Sequence, residues 1–148
     1  MTEMKIVDLF TDGACKGNPG TGGFGYILKC GDVVKEFSGG EEYTTNNRME
    51  LRAVIEGLRK LKHKSSVRVF TDSEYVKRGM TEWIQNWVAA NWKTKARKDV
   101  ANQDLWKELL ALSNEHIITW HWIKGHAGHP ENERCDALAN EYIKKHFY

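Results

Sequence analysis

Two aspartates occupy equivalent positions in the sequence, each directly after a short apolar segment. Phe10-Thr11-Asp12 follows residues 5–9, and Phe70-Thr71-Asp72 follows residues 66–69. Both segments are rich in β-branched residues, which predicts two strands that each end in a carboxylate. If these strands are parallel neighbours, Asp12 and Asp72 emerge at one sheet edge, where open α/β sheets bind ligands. Two acids there repel each other, so the pattern favours a divalent metal site, although both residues also suit simple turns.

A third carboxylate, Glu50, lies in the first turn of a helix predicted over residues 47–61. It shares the apolar stripe of that helix with Val54 and Leu58, and burying an unpaired charge on such a stripe is costly. The position therefore indicates a functional acid that faces the sheet. The alternative is helix capping, because Asn47 and Glu50 have the spacing of a capping box.

A fourth carboxylate, Asp136, lies in the last predicted helix, residues 131–145, where an ordinary first-turn acid is the alternative. Two strand ends and two helix starts at one sheet edge can place all four carboxylates in one pocket. Carboxyl oxygens without His or Cys ligands favour Mg²⁺ or Mn²⁺ over Zn²⁺. Two such ions about 3.5–4 Å apart activate water and stabilise the leaving oxygen in phosphoryl displacement, so the set points to a nuclease.

His126 lies in the loop Gly125-His126-Ala127-Gly128, whose glycines favour a mobile backbone. A histidine there can carry a proton near neutral pH or assist product release. The alternative is a solvated loop histidine without a chemical role.

The elements that would position these residues form an α/β domain with the predicted order β-β-β-α-β-α-α-α-β-α. Early hairpins predict antiparallel pairing, and later helical crossovers predict parallel pairing. The result is a mixed five-stranded sheet, with three antiparallel and two parallel strands, flanked by helices. The other predicted features are a glycine-rich turn at 13–23, strands at 24–30, 33–37 and 117–123, a short helix capped by Ser73 and ended by Gly79, a helix capped by Thr81, and a helix at 103–112.

The length of 148 residues suits a single domain over residues 1–148. The three cysteines, Cys15, Cys30 and Cys135, lack metal-type spacing and fit free thiols in a reducing compartment. No apolar signal region begins the chain, and no apolar run approaches the ~20 residues of a membrane span. We therefore expect a cytoplasmic protein without a membrane partner and, by default, a monomer.

Positive charge is concentrated in one segment, although the net charge of the chain is only +2. Between residues 75 and 100, six cationic side chains accompany two acidic ones, a net charge of +4. All six tryptophans lie between Trp83 and Trp122. Those in the basic segment either pack together with Trp106 or stack on a nucleic acid sugar, and the packing role is favoured. Trp120 and Trp122 alternate on a strand and are expected to be buried.

Together these motifs resemble ribonuclease H, type 1, in its bacterial single-domain form. The resemblance covers nearly the whole chain in order, and its most specific parts are the Thr-Thr-Asn-Asn block and the segment that ends at Asp136. The matching segments are FTDG at 10–13, GNPG at 17–20, TTNNRMEL at 44–51, TDS at 71–73 and KGHAGHPENERCD at 124–136.

The resemblance implies a ribonuclease H-like fold and an endonuclease that cuts the RNA strand of an RNA–DNA hybrid, leaving 5′-phosphate and 3′-hydroxyl ends. It implies two Mg²⁺ ions, for which Mn²⁺ can substitute, and Glu50 would also sense the RNA 2′-hydroxyl. The metal ligands would be Asp12, Glu50, Asp72 and Asp136, with His126 as a mobile proton carrier. The hybrid would contact Asn18, Asn46 and Asn47 near the cut, Thr45 and Asn102 at a DNA phosphate, and a basic handle at about 81–100 that includes Trp83, Trp87, Trp92, Lys93, Lys95, Arg97 and Lys98.

Three features depart from the family pattern. The handle helix carries Ala89 and Ala90 where relatives tend to carry cations, Tyr43 replaces a basic phosphate contact, and Glu74 replaces an amide. Weaker hybrid binding and a shallower salt dependence are expected.

Two other functions remain open, a DNA-cutting or strand-transfer nuclease on the same fold and a hybrid-binding module without catalysis.

Overall fold

The computed structural model describes residues 4–124 and 129–148. The strands in these residues are β1 (Lys5–Lys16), β2 (Gly20–Cys30), β3 (Val33–Thr44), β4 (Ser65–Thr71) and β5 (Ile117–Trp122). The helices are α1 (Asn46–Arg59), α2 (Glu74–Arg78), α3 (Ile84–Ala89), α4 (Gln103–Asn114) and α5 (Pro130–Phe147), with a π-helical turn, Gly79–Trp83, between α2 and α3.

The strands form one mixed sheet in the order β3-β2-β1-β4-β5. β2 pairs antiparallel with β1 and β3, whereas β4 runs parallel to β1 and β5. Phe10 on β1 lies opposite Phe70 on β4. Asp12 and Asp72, each two residues further along, therefore lie at the same end of this parallel pair of strands. The predicted fold class and the predicted parallel pairing are confirmed.

The first strands are longer than predicted, and the predicted turn at 13–23 is wrong. β1 continues past Asp12 to Lys16, since residues 13–16 pair with residues 21–24 of β2. The glycines of this region serve close packing rather than a long turn. A Cβ on Gly13 would lie 2.6 Å from the backbone nitrogen of Glu50, so glycine lets α1 begin directly against β1.

The segment after β4 begins as predicted but continues further. The Ser73 hydroxyl accepts a hydrogen bond from the backbone N–H of Val76 and caps α2. Gly79, predicted to end this helix, has a right-handed helical conformation and leads through the π-helical turn into α3. Its lack of a side chain makes room for Trp106, whose ring a Cβ would overlap. Thr81 donates its hydroxyl to a backbone carbonyl one turn back, so its predicted capping role is also wrong.

Helices cover both faces of the sheet. On one face α1 packs against β1 and β2, with α4 beside it, and Leu9 and Trp106 belong to the large core there. On the other face α5 crosses β1, β2 and β3, and Phe10 and Cys135 belong to a smaller core. Trp122 is 41% exposed, so its predicted burial is wrong. Within residues 4–124 and 129–148, no helix has the length and apolarity needed to cross a membrane.

Candidate metal centre and nucleic-acid interface

Three of the four predicted carboxylates converge at the sheet edge. Oxygen atoms of Asp12, Glu50 and Asp72 all lie within 4.8 Å of one another. Asp12 is 3% exposed, and the other two side chains are half-buried. Three elements that are distant in sequence, β1, α1 and the end of β4, therefore supply one compact cluster of acidic oxygens.

The start of α1 determines where Glu50 points. Thr45 is the N-cap of this helix, and its hydroxyl accepts a hydrogen bond of 3.3 Å from the backbone N–H of Arg48. Asn47 is therefore already inside the helix, and the capping-box alternative for Glu50 does not apply. The close approach of α1 to Gly13 instead brings Glu50 beside Asp12.

Burial and mutual repulsion both favour the protonated forms of these acids. Burial, followed by the charges of Asp72 and Asp136, raises the pKa of Asp12 to about 8. The pKa of Glu50 is raised well above its ordinary value, first by burial and then by the charge of Asp12. Glu50 Oε1 is buried and accepts no hydrogen bond from the residues that the structure describes.

This donor set fits a divalent cation. Carboxylate oxygens that repel one another at close range become stable together when a cation neutralises them. Hard oxygen donors without His or Cys are the ligands that Mg²⁺, Mn²⁺ and Ca²⁺ accept. A bound cation would give the buried Oε1 of Glu50 the partner that it lacks among the described residues.

Asp136, the fourth predicted ligand, lies on the first half of α5 and outside the compact cluster. Its charge contributes to the raised pKa of Asp12, so the two carboxylates act on each other electrostatically. Asn140, one turn later, donates its side-chain amide to the backbone carbonyl of Asp136 at 2.9 Å and to its carboxylate at 3.2 Å. His126, the predicted proton carrier, lies outside the described residues.

The predicted hybrid-binding residues near the cut lie around the start of α1. The side-chain oxygen of Asn18, in the turn between β1 and β2, accepts a hydrogen bond of 3.1 Å from the backbone N–H of Asn46. Asn18, Asn46 and Asn47 are exposed, and Thr45 is half-buried. One polar surface beside Glu50 therefore contains all four residues.

Asn102 belongs to a network that links α1 to the tryptophan cluster. Its backbone is left-handed, with φ of 59°, and its side-chain oxygen accepts from Arg48 at 3.3 Å. Its amide donates to the Tyr75 hydroxyl at 3.1 Å, and Trp106 donates to the same hydroxyl at 3.0 Å. Arg48 also forms a bidentate ion pair with Asp104, at 3.1 and 3.2 Å. The network fixes Asn102 relative to Thr45, since Arg48 follows Thr45 in the first turn of α1.

The tryptophans of the handle pack against one another. The ring of Trp87 lies 5.8 Å from that of Trp83, 6.1 Å from that of Trp92 and 5.2 Å from that of Trp106. Trp106 is fully buried and Trp92 is 8% exposed, whereas Trp83 and Trp87 are half-buried. The tryptophan cluster therefore anchors the handle on the large core.

The cations of the handle differ in their partners. Lys93 forms an ion pair with Asp99 across the loop that follows α3. Lys95, Arg97 and Lys98 are exposed, and none of them forms an ion pair within the described part of the chain. Tyr43 is 75% exposed, and Glu74 is exposed in the first turn of α2.

Two residues to which the sequence assigns no role contact the backbone of the site. Trp122 donates its indole N–H to the carbonyl of Asp72 at 3.2 Å. Asn132 is 1% exposed and donates to backbone carbonyls of both β1 and β4. A polar residue two positions after Pro130, in the first turn of a helix, gives no sequence signal of such long-range contacts, because they depend on how α5 crosses the sheet.

One cavity in the described part of the chain does not belong to this site. It has a volume of about 570 Å³ and lies at the opposite end of the sheet, where β1 and β4 begin. Its lining includes Lys5, Lys35, Lys60 and Lys62, but none of the predicted ligands. The carboxylate cluster lies at the other end of these strands, beyond the last paired residues of β1 and β4.

Comparisons with known proteins agree with these observations. Residues 4–144 match the RNase H family. Ribonuclease HI of Neisseria meningitidis is 60% identical over 136 residues, which cover 92% of this chain and 94% of the relative. The crystal structure of LC9-RNase H1, a type 1 RNase H with the type 2 active-site motif, has a TM-score of 0.88 at 33% identity, covering 98% of this chain and 75% of that chain. LC11-RNase H1, solved in complex with an RNA/DNA hybrid, shares the fold with a TM-score of 0.70 at 23% identity, covering 96% of this chain and 99% of that chain.

Proposed function

The chain belongs to the ribonuclease H family, and from this premise we propose that it is an endonuclease that hydrolyses the RNA strand of RNA–DNA hybrids. The single observation that carries the proposal is the cluster of Asp12, Glu50 and Asp72, which lies where the parallel pairing of β1 and β4 ends. A protein that only bound hybrids would gain nothing from acids aimed at phosphates, because like charges repel. The products would be 5′-phosphate and 3′-hydroxyl ends.

We assign the metal ligands as Asp12, Glu50, Asp72 and Asp136. Mg²⁺ is the proposed cofactor, two ions with bound substrate, and Mn²⁺ would substitute, since both accept carboxylate oxygens. Bound in such a site, a pair of divalent ions supplies an activated water and stabilisation of the leaving oxygen. The raised pKa of Asp12 means that protons leave this cluster when a cation enters.

The other residues of the site orient substrate and move protons. Glu50 would sense a 2′-hydroxyl, which distinguishes RNA from DNA. His126 would carry a proton between the site and solvent and assist product release. Thr45 and Asn102, joined through Arg48, would hold a phosphate of the DNA strand. Asn18, Asn46 and Asn47 would lie along the hybrid beside the cut.

The basic handle, residues 81–100, would contact the DNA strand away from the cut. Its exposed cations, Lys95, Arg97 and Lys98, would contact phosphates, and the Lys93–Asp99 pair would contribute less. The surfaces of Trp83, Trp87 and Trp92 that remain accessible would meet the sugar edge. We propose one catalytic domain over residues 1–148 that acts as a monomer.

The cysteines support a reducing, cytoplasmic location. Cys15, Cys30 and Cys135 are all free thiols. Disulfides are rare in cytosolic proteins, and thiols that persist unpaired fit such a compartment.

The proposed function is tested with an RNA–DNA hybrid whose RNA is end-labelled, beside all-RNA and all-DNA duplexes. Internal cuts in the RNA of the hybrid alone, lost on chelation and restored by Mg²⁺, are the expected result. Asp12→Asn is the matched inactive control, and its hybrid affinity should stay close to that of the parent protein. Cuts in all-DNA duplexes would favour the strand-transfer alternative. Binding without cuts under either Mg²⁺ or Mn²⁺ would favour the non-catalytic binding module.

A further inference from the structure

The parallel ladder between β1 and β4 ends just before the two site aspartates. Its last pair is Phe10 with Phe70. Beyond this pair β1 continues along β2, whereas β4 ends at Thr71. The spacing of Asp12 and Asp72 is therefore set where the two strands separate, and the ladder itself no longer fixes it.

One side chain joins the strands at this place. The amide nitrogen of Asn132 donates to the carbonyl of Thr11 on β1 and to the carbonyl of Phe70 on β4, at 3.3 Å in each case. Asn132 lies in the first turn of α5 and is 1% exposed. Both N–H groups of the amide are thereby used, one for each strand.

The surroundings fix this amide in place. The Cys135 thiol, one turn later on α5, donates to the carbonyl of Phe10 at 3.4 Å. The rings of Phe10 and Phe70 stack at 4.8 Å and pack beneath α5. Because little of this region reaches solvent, water cannot readily replace a lost donor, and a buried carbonyl without a donor is unfavourable.

We propose that Asn132 is a positioning residue that sets the separation of Asp12 and Asp72 and thereby the affinity of the site for a divalent metal ion. Thr11 directly precedes Asp12, and Phe70 precedes Asp72 by two residues, so a shift of either carbonyl reaches a carboxylate through one or two peptide units. The inference rests on the proposed function, since it takes these carboxylates as metal ligands. Residues that orient metal ligands typically change metal affinity 10–100-fold when substituted.

The decisive variant is Asn132→Asp, which keeps the shape of the side chain and removes both donors. The added negative charge would by itself attract a cation, so weaker binding in this variant argues for lost positioning. We expect the dissociation constant for Mn²⁺, measured by calorimetry without nucleic acid, to rise at least about tenfold. We expect the Mg²⁺ concentration for half-maximal cleavage to rise in parallel, while the KM for hybrid changes less than twofold. Asn132→Ser keeps one hydroxyl donor and adds no charge, so its Mn²⁺ dissociation constant should lie between those of the parent protein and Asn132→Asp. This variant also carries the test if Asn132→Asp fails to fold.

Ile143→Ala is the control for loss of stability alone. Ile143 lies on the same helix, is fully buried and packs against Gly23 rather than the site. It should lower the melting temperature without changing the Mn²⁺ dissociation constant. An unchanged Mn²⁺ dissociation constant in the Asn132 variants, or one that shifts equally in Ile143→Ala, would overturn the proposal. Because Mn²⁺ binding is measured without substrate, a parent protein that binds metal but fails to cleave hybrids would overturn the proposed function and leave this test intact.

Discussion

Asp12 and Glu50 place carboxylate oxygens within 4.8 Å of each other, although one residue ends a buried stretch of β1 and the other lies one turn into α1. Gly13 makes this approach possible, because a Cβ there would collide with the backbone at Glu50. Burial of this site has a thermodynamic consequence: it raises the pKa of Asp12 to about 8, so between pH 3.8 and about 8 the folded protein without a cation keeps a proton that the unfolded chain releases.

The first prediction concerns the stability of the protein in chelator. The pKa of Asp12 is raised from 3.8 to about 8 on folding, so the folded state binds more protons than the unfolded state between these values. The free energy of unfolding should therefore fall as the pH rises from about 4 to about 8. Asp12→Asn removes this titration, so it should stabilise the chelated protein, and more strongly at pH 8 than at pH 5. Denaturant unfolding at the two pH values measures the difference, and Mg²⁺ should stabilise the parent protein more than the variant. A variant less stable than the parent at pH 8 in chelator would contradict the prediction.

The sequence predicted the placement of three carboxylates, Asp12, Glu50 and Asp72, because their signals are local, whereas Asp136 lies outside the cluster that they form. Asp12 and Asp72 each follow a β-branched segment, and parallel pairing of the two segments alone brings them to one edge. Glu50 could be inferred because an acid on an apolar helical stripe conflicts with burial. These signals depend on residue type and periodicity, which a sequence displays directly.

The rest depends on contacts between distant elements. The glycines at 13 and 79 look like turn and stop signals, yet each gives room to a residue more than 25 positions away, Glu50 and Trp106 respectively. Asn132 looks like any polar residue near a helix start, yet its amide bridges two strands of the sheet. Such roles follow from how helices cross the sheet, which no local pattern specifies.

A second prediction follows from the position of Gly79. On an exposed helix Gly→Ala stabilises by about 1 kcal/mol, because alanine has the better helix propensity. Here the added methyl group would overlap the fully buried ring of Trp106, so we expect Gly79→Ala to destabilise by about 1–3 kcal/mol. Denaturant unfolding of Gly79→Ala, Trp106→Phe and the double variant gives the coupling between the two sites. The smaller ring of Trp106→Phe should relieve part of the destabilisation that Gly79→Ala causes. If Gly79→Ala stabilised the protein, or if the two substitutions had additive effects, the overlap would make no energetic contribution.

A third prediction addresses His126. Its replacement by alanine should reduce cleavage of the hybrid by about 10²-fold, the low end for a general acid or base, because water can carry the proton less efficiently. The measurement is kcat from pH 6 to 9, where the variant should lose the dependence that the imidazole imposes. His129→Ala is the matched control, since His129 is an exposed histidine that precedes α5. Equal pH profiles for the parent protein and the His126 variant would leave His126 as a solvated loop residue.

The fourth prediction separates the handle cations by their partners. Lys95 and Lys98 are exposed, whereas Lys93 is already neutralised by Asp99. Each phosphate contact releases counterions, so its loss should flatten the slope of log affinity against log salt by about 0.9 for a B-form duplex. In the Asp12→Asn background, the slope for the double variant Lys95→Ala/Lys98→Ala should therefore be flatter by close to twice this amount. The slope for Lys93→Ala should be flatter by less than the amount for one contact. Lys64→Ala removes the same charge at the opposite sheet edge, just before β4, and should leave the slope unchanged. If Lys64→Ala and the handle variants changed the slope equally, the positive charge of the whole protein rather than the handle would govern hybrid affinity.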